Sequence, residues 1–434
     1  MSEPTSRNSQ TDWQRLDAKV TGLISMLFVN SDRLVQSIQR LAQIGQTSVG
    51  GVRRIAYSLE DIKARNLVQR WMAEAGMSVR IDTAGNIIGR YPGKNAQAPA
   101  LATGSHIDTV PNGGRYDGAF GVLAGLEVVR VLNERQMQLE HPLEVIVFTD
   151  EESSMIGSKA MSGRVIPDAA YYRRPDGTDI QTCLERVGGD WHQIKQAQRS
   201  SKDIAAFVEL HVEQGPVLES EGKQIGVVEG IVSQRRYKIT VTGSPRHAGT
   251  TPMHMRQDAL VAASKVVLAV NRLANSPGQQ VATVGWMQVS PNAANTVPGG
   301  VEMNLDIRDL SKQRIDELME QLQREIDAIA ADTRTPIELA PRLHNEPALA
   351  KPHIQKTIVQ VCEELGLSYM HLPSRASHDS QEMANFTDMG MIFVPSESGV
   401  SHAETEYTSP EQCTQGANVL LHTLLKLDRQ IIGV

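Results

Sequence analysis

The feature that most constrains this chain is a repeated junction, in which an apolar run of strand length stops at a histidine or a knot of carboxylates. Ala100-Leu-Ala-Thr runs into Gly104-Ser-His106-Ile-Asp108-Thr-Val-Pro-Asn-Gly-Gly-Arg-Tyr-Asp117-Gly-Ala-Phe-Gly121. Pro142-Leu-Glu-Val-Ile-Val-Phe-Thr149 stops at Asp150-Glu151-Glu152-Ser153, and Ala205-Ala-Phe-Val-Glu-Leu210 stops at His211-Val-Glu213-Gln214-Gly-Pro216. Phe393-Val-Pro leads to Ser398-Gly-Val-Ser-His402-Ala-Glu404. Short apolar runs bounded by turn residues read as buried strands. After the first junction, Val122, Leu123, Leu126, Val129 and Val131 fall at roughly helical spacing, so that junction is a strand-to-helix loop. Such loops are where α/β sheets place their chemistry. Strand ends carrying His, Asp, Glu and His are hard to put down to coincidence.

The residue types narrow the chemistry. His106 and Asp108 are two apart, so in extended backbone their side chains point the same way, and Asp108 can fix the tautomer of His106. Asp117 stands just before a helix, as a metal ligand or as an N-cap. Asp150, Glu151 and Glu152 repel one another; they need a cation or raised pKa values to share a cleft, and otherwise form an exposed acidic loop.

A chain of 434 residues exceeds one ordinary core, so two or three domains are expected. The net charge of −7 argues against nucleic-acid and anionic-membrane partners. No apolar run reaches the roughly 18 residues of a membrane span. Residues 1–22 are polar, read as a loose arm, and lack the apolar region of a signal peptide. Cys183, Cys362 and Cys413 lie too far apart for a disulfide framework or a cysteine zinc site, so a soluble cytoplasmic protein is expected.

A first helix is predicted from Asn30 to Ile44. Ser58-Leu-Glu-Asp61 is a capping box opening a helix that Gly76 closes, and Asp82-Thr-Ala-Gly85-Asn86 is a turn between strands. From about Gly230 the pattern changes. Arg236–Gly243 and Val281–Val289 alternate as half-buried strands, Gln257–Ala274 and Lys312–Ala331 read as amphipathic helices, and Val301–Ile307 and Ile337–Leu339 as strands. This order suits a small two-layer α+β unit inserted into a larger α/β domain. The expected division is 1–229 and 345–434 for the larger domain and 230–344 for the insertion.

These residues carry a resemblance. The chain resembles the amidase, hydantoinase and carbamoylase branch of the dinuclear zinc amidohydrolases, relatives of the zinc carboxypeptidases and aminoacylases. It rests on the stretch from Gly104 to Gly118, on Glu209-Leu-His-Val-Glu-Gln-Gly-Pro-Val-Leu-Glu219, on His247-Ala-Gly-Thr-Thr-Pro-Met253, on Asn295-Thr-Val-Pro-Gly299 and on Ser398 to His402. The five pieces stand in the family's order, and the likeness runs from about Gly51 to the C-terminus. It implies a zinc-exopeptidase-like catalytic domain with a mixed sheet, interrupted by an α+β lid that also makes a homodimer.

Carried onto matching positions, the resemblance makes Asp117 the carboxylate bridging two divalent ions, zinc before manganese, cobalt or nickel. His106 and His211 complete one site and Glu152 and His402 the other. It also implies that Glu151 is the general base, that Asp108 orients His106 and that His247 steadies an oxyanion in the partner subunit. Asn295 and Arg308 match residues that hold a substrate carboxylate, and Gln214 is a further substrate contact. The activity implied is hydrolysis of a non-peptide C–N bond in a small ureido or carbamoyl acid, such as an N-carbamoyl amino acid, allantoate or ureidoglycolate. A dipeptidase or N-acyl-amino-acid deacylase of the same fold, and a binder without turnover, are the alternatives. Two loops depart from the family: Ser153-Ser-Met-Ile-Gly157-Ser158 is short and lacks an arginine, and Arg375-Ala-Ser377-His378-Asp379-Ser380 replaces Gly-Ala-Gly-His-Asp-Ala. Both leave the substrate open.

Overall fold

The computed structural model describes residues 27–275, 278 and 280–432; the arm expected over residues 1–22 lies outside them. Two compact units emerge. The first holds the described residues up to Val228 together with Ala350–Leu372 and the chain from His378 onward, and the second holds Glu229–Leu349 and Pro373–Ser377.

In the first unit, four strands run parallel in the order Leu143–Phe148, Ala100–His106, Ile204–Val212, Asp388–Val394. Ile87–Tyr91 pairs antiparallel with the first of these and Ile225–Ile231 with the last, so the sheet is mixed. Every residue of Ala100–His106 and Leu143–Phe148 is buried, which is why these strands are continuous apolar runs without alternation. Register then levels the strand ends: His106 pairs with Phe148 and His211 with Phe393.

The helix Ala119–Glu134 packs against this sheet, buried from Ala119 through Val129. It comes close because Gly121 has no side chain: a Cβ there would stand 2.2 Å from the Leu210 carbonyl oxygen. The helix Leu59–Glu74 is capped as expected by Ser58, whose hydroxyl accepts from the Asp61 N–H. The reciprocal bond goes one residue further back than a capping box requires, from the Tyr57 N–H to Asp61 Oδ2 at 2.8 Å.

The second unit is an antiparallel sheet in the order Ile337–His344, Ser233–Thr242, Gly300–Asp309, Val281–Ser290. Val301, Met303, Leu305 and Ile307 share a core with the helices Ala259–Ala274 and Lys312–Thr333. The alternate residues Glu302, Asn304, Asp306 and Arg308 therefore face away from the helices. This is the expected order of elements, with one addition. Arg246–His247 and Thr296–Val297 form a two-residue ladder too short to leave a periodic signature.

Candidate metal centre and its surroundings

The strand ends bring His106, Asp117, Glu151, Glu152, His211 and His402 together, and Asp117 organises them. Its Oδ1 lies 3.2 Å from His211 Nε2 and 3.7 Å from His106 Nε2. Its Oδ2 lies 3.1 Å from His402 Nε2, which in turn is 3.6 Å from Glu152 Oε2. One carboxylate thus serves two groups of metal-ligating atoms, His106–Asp117–His211 and Asp117–Glu152–His402. Donors about 2.1 Å from a shared tetrahedral ion stand about 3.4 Å from each other, so both groups fit a divalent cation.

The ring tautomers agree with that fit. His106 Nδ1 is 3.0 Å from the Asp108 carbonyl and His211 Nδ1 is 2.8 Å from the Val212 carbonyl. A carbonyl can only accept, so each Nδ1 carries a proton, and Nε2 is the ring atom left to meet a metal once its own proton is lost. Asp108 acts here through its backbone; its carboxylate stands 3.8 Å from His106 Nδ1 and instead accepts the N–H groups of Glu151 and Glu152 at 3.4 and 3.3 Å. Room for the His106 ring depends on Gly118, where a Cβ would come within 2.4 Å of Nε2.

Several residues without a local sequence signal hold the centre in place. Glu406 Oε1 accepts from the Tyr116 and Asp117 N–H groups at 2.8 and 3.1 Å, while Oε2 accepts from Ser401 Oγ at 3.1 Å. It thereby ties the Asp117 loop to the His402 loop. Arg54, fully buried, donates to the carbonyls of Ile107, Leu41 and Ile44 and so fixes the strand end beyond His106. Arg174 supplies a cation to the short loop that lacks one, donating to Asp150 Oδ1 at 2.9 Å and Ser153 Oγ at 3.0 Å. Glu209 accepts from Ser105 Oγ, from the Ser380 N–H and from Ser380 Oγ, which occupies both its oxygens. Although Glu209, His211 and His378 are also close, Glu209 is therefore a structural link, and His378 packs edge-on against His211.

Gln214 donates from Nε2 to Asp117 Oδ2 at 3.0 Å, leaving Oε1 buried without a partner. Asp150, Gln214 and His402 all have positive φ, and strain of this kind collects at functional sites.

The charges couple strongly in the metal-free protein. Burial raises the Asp117 pKa, but hydrogen bonds from His211 and His402 outweigh it and hold the carboxyl well below its ordinary range. His211, lowered by burial but paired with Asp117, is lifted to about 9, and the hydrogen bond to Asp117 lifts His402 to about 9. Burial, then Asp117 and Asp108, push Glu152 to about 8. Metal must therefore displace protons from two imidazoles at neutral pH, and affinity rises with pH until those pKa values are passed. Between pH 6 and 8 metal binding should tighten at least about tenfold per pH unit. Chelator competition between pH 6 and 8, with proton release followed in weak buffer, measures this; a flat affinity would refute it. Stripping the metal should abolish activity, and zinc, manganese, cobalt or nickel should restore it.

In the second unit, His247 and Asn295 are neighbours: the Ala248 N–H donates to the Asn295 carbonyl at 2.8 Å. His247 Nδ1 accepts from the Gly249 and Thr250 N–H groups at 3.1 and 3.2 Å, so the neutral ring carries its proton on the exposed Nε2. Arg308 donates from Nε and Nη2 to the two oxygens of Asp306.

Comparison with known proteins decides the family. The profile of peptidase family M20/M25/M40 matches residues 102–426, most of the chain. The chain belongs to this family. Among M20 relatives, an N-carbamoyl-L-amino acid amidohydrolase from Geobacillus stearothermophilus is 38% identical over 404 residues, covering 92% of this chain and 99% of that one. An allantoate amidohydrolase from Bacillus subtilis is 35% identical over 397 residues, 90% of this chain and 96% of that one. A hydantoinase/carbamoylase family amidase from Burkholderia multivorans has a solved structure that matches with a TM-score of 0.86 at 38% identity, over 92% of this chain and 98% of that one. The M20 family is metal-dependent, in keeping with the donor groups around Asp117.

Proposed function

We propose that this chain is a dinuclear metal hydrolase of a non-peptide C–N bond in a small ureido or carbamoyl carboxylic acid. The observation that carries the reading is the division of Asp117: each oxygen faces its own donor group, while Glu151 stands beside them and belongs to neither. His106, His211 and Asp117 would hold one ion, and Asp117, Glu152 and His402 the other, with zinc the first choice. When bound, such ions polarise the scissile carbonyl and acidify water.

The chain's own residues do the rest. Glu151 takes the proton of the attacking water and returns it to the departing nitrogen. Asp108, holding the Glu151 and Glu152 backbone N–H groups, keeps the base aimed. The orphaned Gln214 Oε1 accepts an N–H of the ureido group. From the lid, the His247 Nε2–H donates to the developing oxyanion, and Arg308 and Asn295 hold the carboxylate.

The active form is a homodimer built on the second unit. Its support is the strand Val281–Ser290, which among the described residues is the sheet's edge, with Val281, Trp286 and Met287 exposed, and the neighbouring helix with Val261 and Leu268 exposed. Among the described residues no helix is long and apolar enough to cross a membrane, and three buried free thiols suit a reducing cytoplasm.

A panel of N-carbamoyl-L-amino acids, allantoate and ureidoglycolate assayed for ammonia release, beside dipeptides and N-acetyl amino acids assayed for the free amino acid released, tests the proposal. Ammonia from at least one ureido or carbamoyl acid is expected. Turnover confined to dipeptides or N-acetyl amino acids would replace the reading with a peptidase or deacylase.

A further inference from the structure

On the face of the second unit's sheet turned from its helices lies a cavity of about 520 Å³, lined by Arg236, Thr283, Trp286, Asn304, Arg308 and Arg375. That is the size of a small-molecule site. Asp306 sits among the arginines and stays ionised: burial opposes it, but hydrogen bonds from Arg308, Arg236 and Gln234 hold its pKa below the ordinary value. Arg236 and Asp306 are directly opposed across the strands, and Arg236 Nε donates to Asp306 Oδ2 at 2.8 Å.

Counting donors shows what remains. Arg308 commits Nε and Nη2 to Asp306 and Nη1 to the Arg375 carbonyl, which uses three of its five N–H groups. Two are left, one on each Nη nitrogen. Arg236 commits Nε to Asp306, and its outer edge, with four N–H groups, is directed to no hydrogen-bond partner among the described residues. A single carboxylate therefore anchors two guanidinium groups and leaves an anion seat on each. Arg375 adds a further positive charge to the lining.

One substrate carboxylate fills one seat. We infer that the substrate carries two: the preferred ureido or carbamoyl acid is derived from a dicarboxylic acid, with one carboxylate at Arg308 and the second at Arg236. This rests on the reading of the chain as a hydrolase of ureido or carbamoyl acids, and it names the substrate class within it. Two carboxylates on a short chain suit two forks hinged on one aspartate, since each fork accepts a carboxylate in parallel hydrogen bonds.

The test compares the metal-loaded full chain with Arg236→Met and Arg236→Lys. Asp306 keeps Arg308 and Gln234 as partners in both variants, so neither leaves a buried charge unpaired. Wild type should favour N-carbamoyl-L-aspartate or N-carbamoyl-L-glutamate over N-carbamoyl-L-alanine by at least tenfold in kcat/KM. That ratio should fall at least tenfold in Arg236→Met, through KM, and recover in part in Arg236→Lys. Calorimetry with succinate against propionate supplies a readout without turnover: succinate should bind more tightly, and lose that advantage in Arg236→Met. Turnover of monocarboxylic substrates with no preference for dicarboxylic ones, and equal binding of the two acids, overturns the inference while leaving the hydrolase reading intact. Tight, Arg236-dependent succinate binding without turnover of any ureido acid upholds the two seats and overturns the hydrolase reading instead.

Discussion

Exchanging Glu151 for Gln should lower kcat by at least about a hundredfold, the scale of a lost general base, while the metal content matches that of the wild type. Glu151 is surrounded by the donor set without being part of it. Its Oε2 lies 3.6 Å from His106 Nε2, yet the two groups of converging ligand atoms close without it. The carboxyl is buried among Asp379, Glu152, Asp117 and Asp108, and burial first, then these anions, raises its pKa well above the ordinary value in the metal-free protein. A base in such a place gains basicity from its neighbours and ionises once cations balance them. Gln keeps the shape and the backbone N–H to Asp108 but cannot accept the proton. Elemental analysis of purified Glu151→Gln beside initial rates is the check. Full activity would remove Glu151 from the mechanism, and a missing ion would make it a ligand. Glu152→Gln is the contrast, since it removes a donor and should cost metal as well as rate.

How much of this could be read before the fold was known depends on where each partner lies in the chain. The parallel strands were legible because burial on both faces leaves an unbroken apolar run, and the second unit because its strands alternate over a one-sided core. His106, His211 and His402 stood out because each follows such a run. The dual engagement of Asp117 could come only from resemblance, since spacing says nothing about which oxygen faces which histidine. Glu406 left no signal at all: its contacts to Tyr116 and Asp117 span 290 and 289 residues, and no local period records a contact of that range. Arg174 was hidden for a similar reason, gripping Asp150 from 24 residues downstream across a strandless segment. Asp108 shows a subtler limit. Its position beside His106 was readable, but only coordinates reveal that the carbonyl orients the ring while the carboxylate holds the next loop.

Mixing two inactive variants should regenerate activity, because the proposed catalytic unit is the dimer. Glu151→Gln lacks the base, and His247→Ala lacks the oxyanion donor, a loss of roughly 2.7–4 kcal/mol if it matches other such donors. The structure supports the donor assignment: with Nδ1 occupied by two backbone N–H groups, the neutral ring can only offer a proton from Nε2. If each lid serves its partner, a heterodimer has one site with both lesions and one with neither. Random exchange of equal amounts makes about half the dimers mixed, each with one intact site, so about a quarter of wild-type activity should return. Subunit exchange is confirmed separately by mass spectrometry of differently tagged chains. With exchange confirmed, a mixture no more active than the average of its parents would mean that His247 acts within its own chain or takes no part in the reaction. A return to a quarter would also account for the apolar edge strand of the second unit: holding two lids in register would then be a condition of catalysis, and a mutation at Met287 that loosens the dimer should lower kcat without touching a metal ligand or the cavity lining.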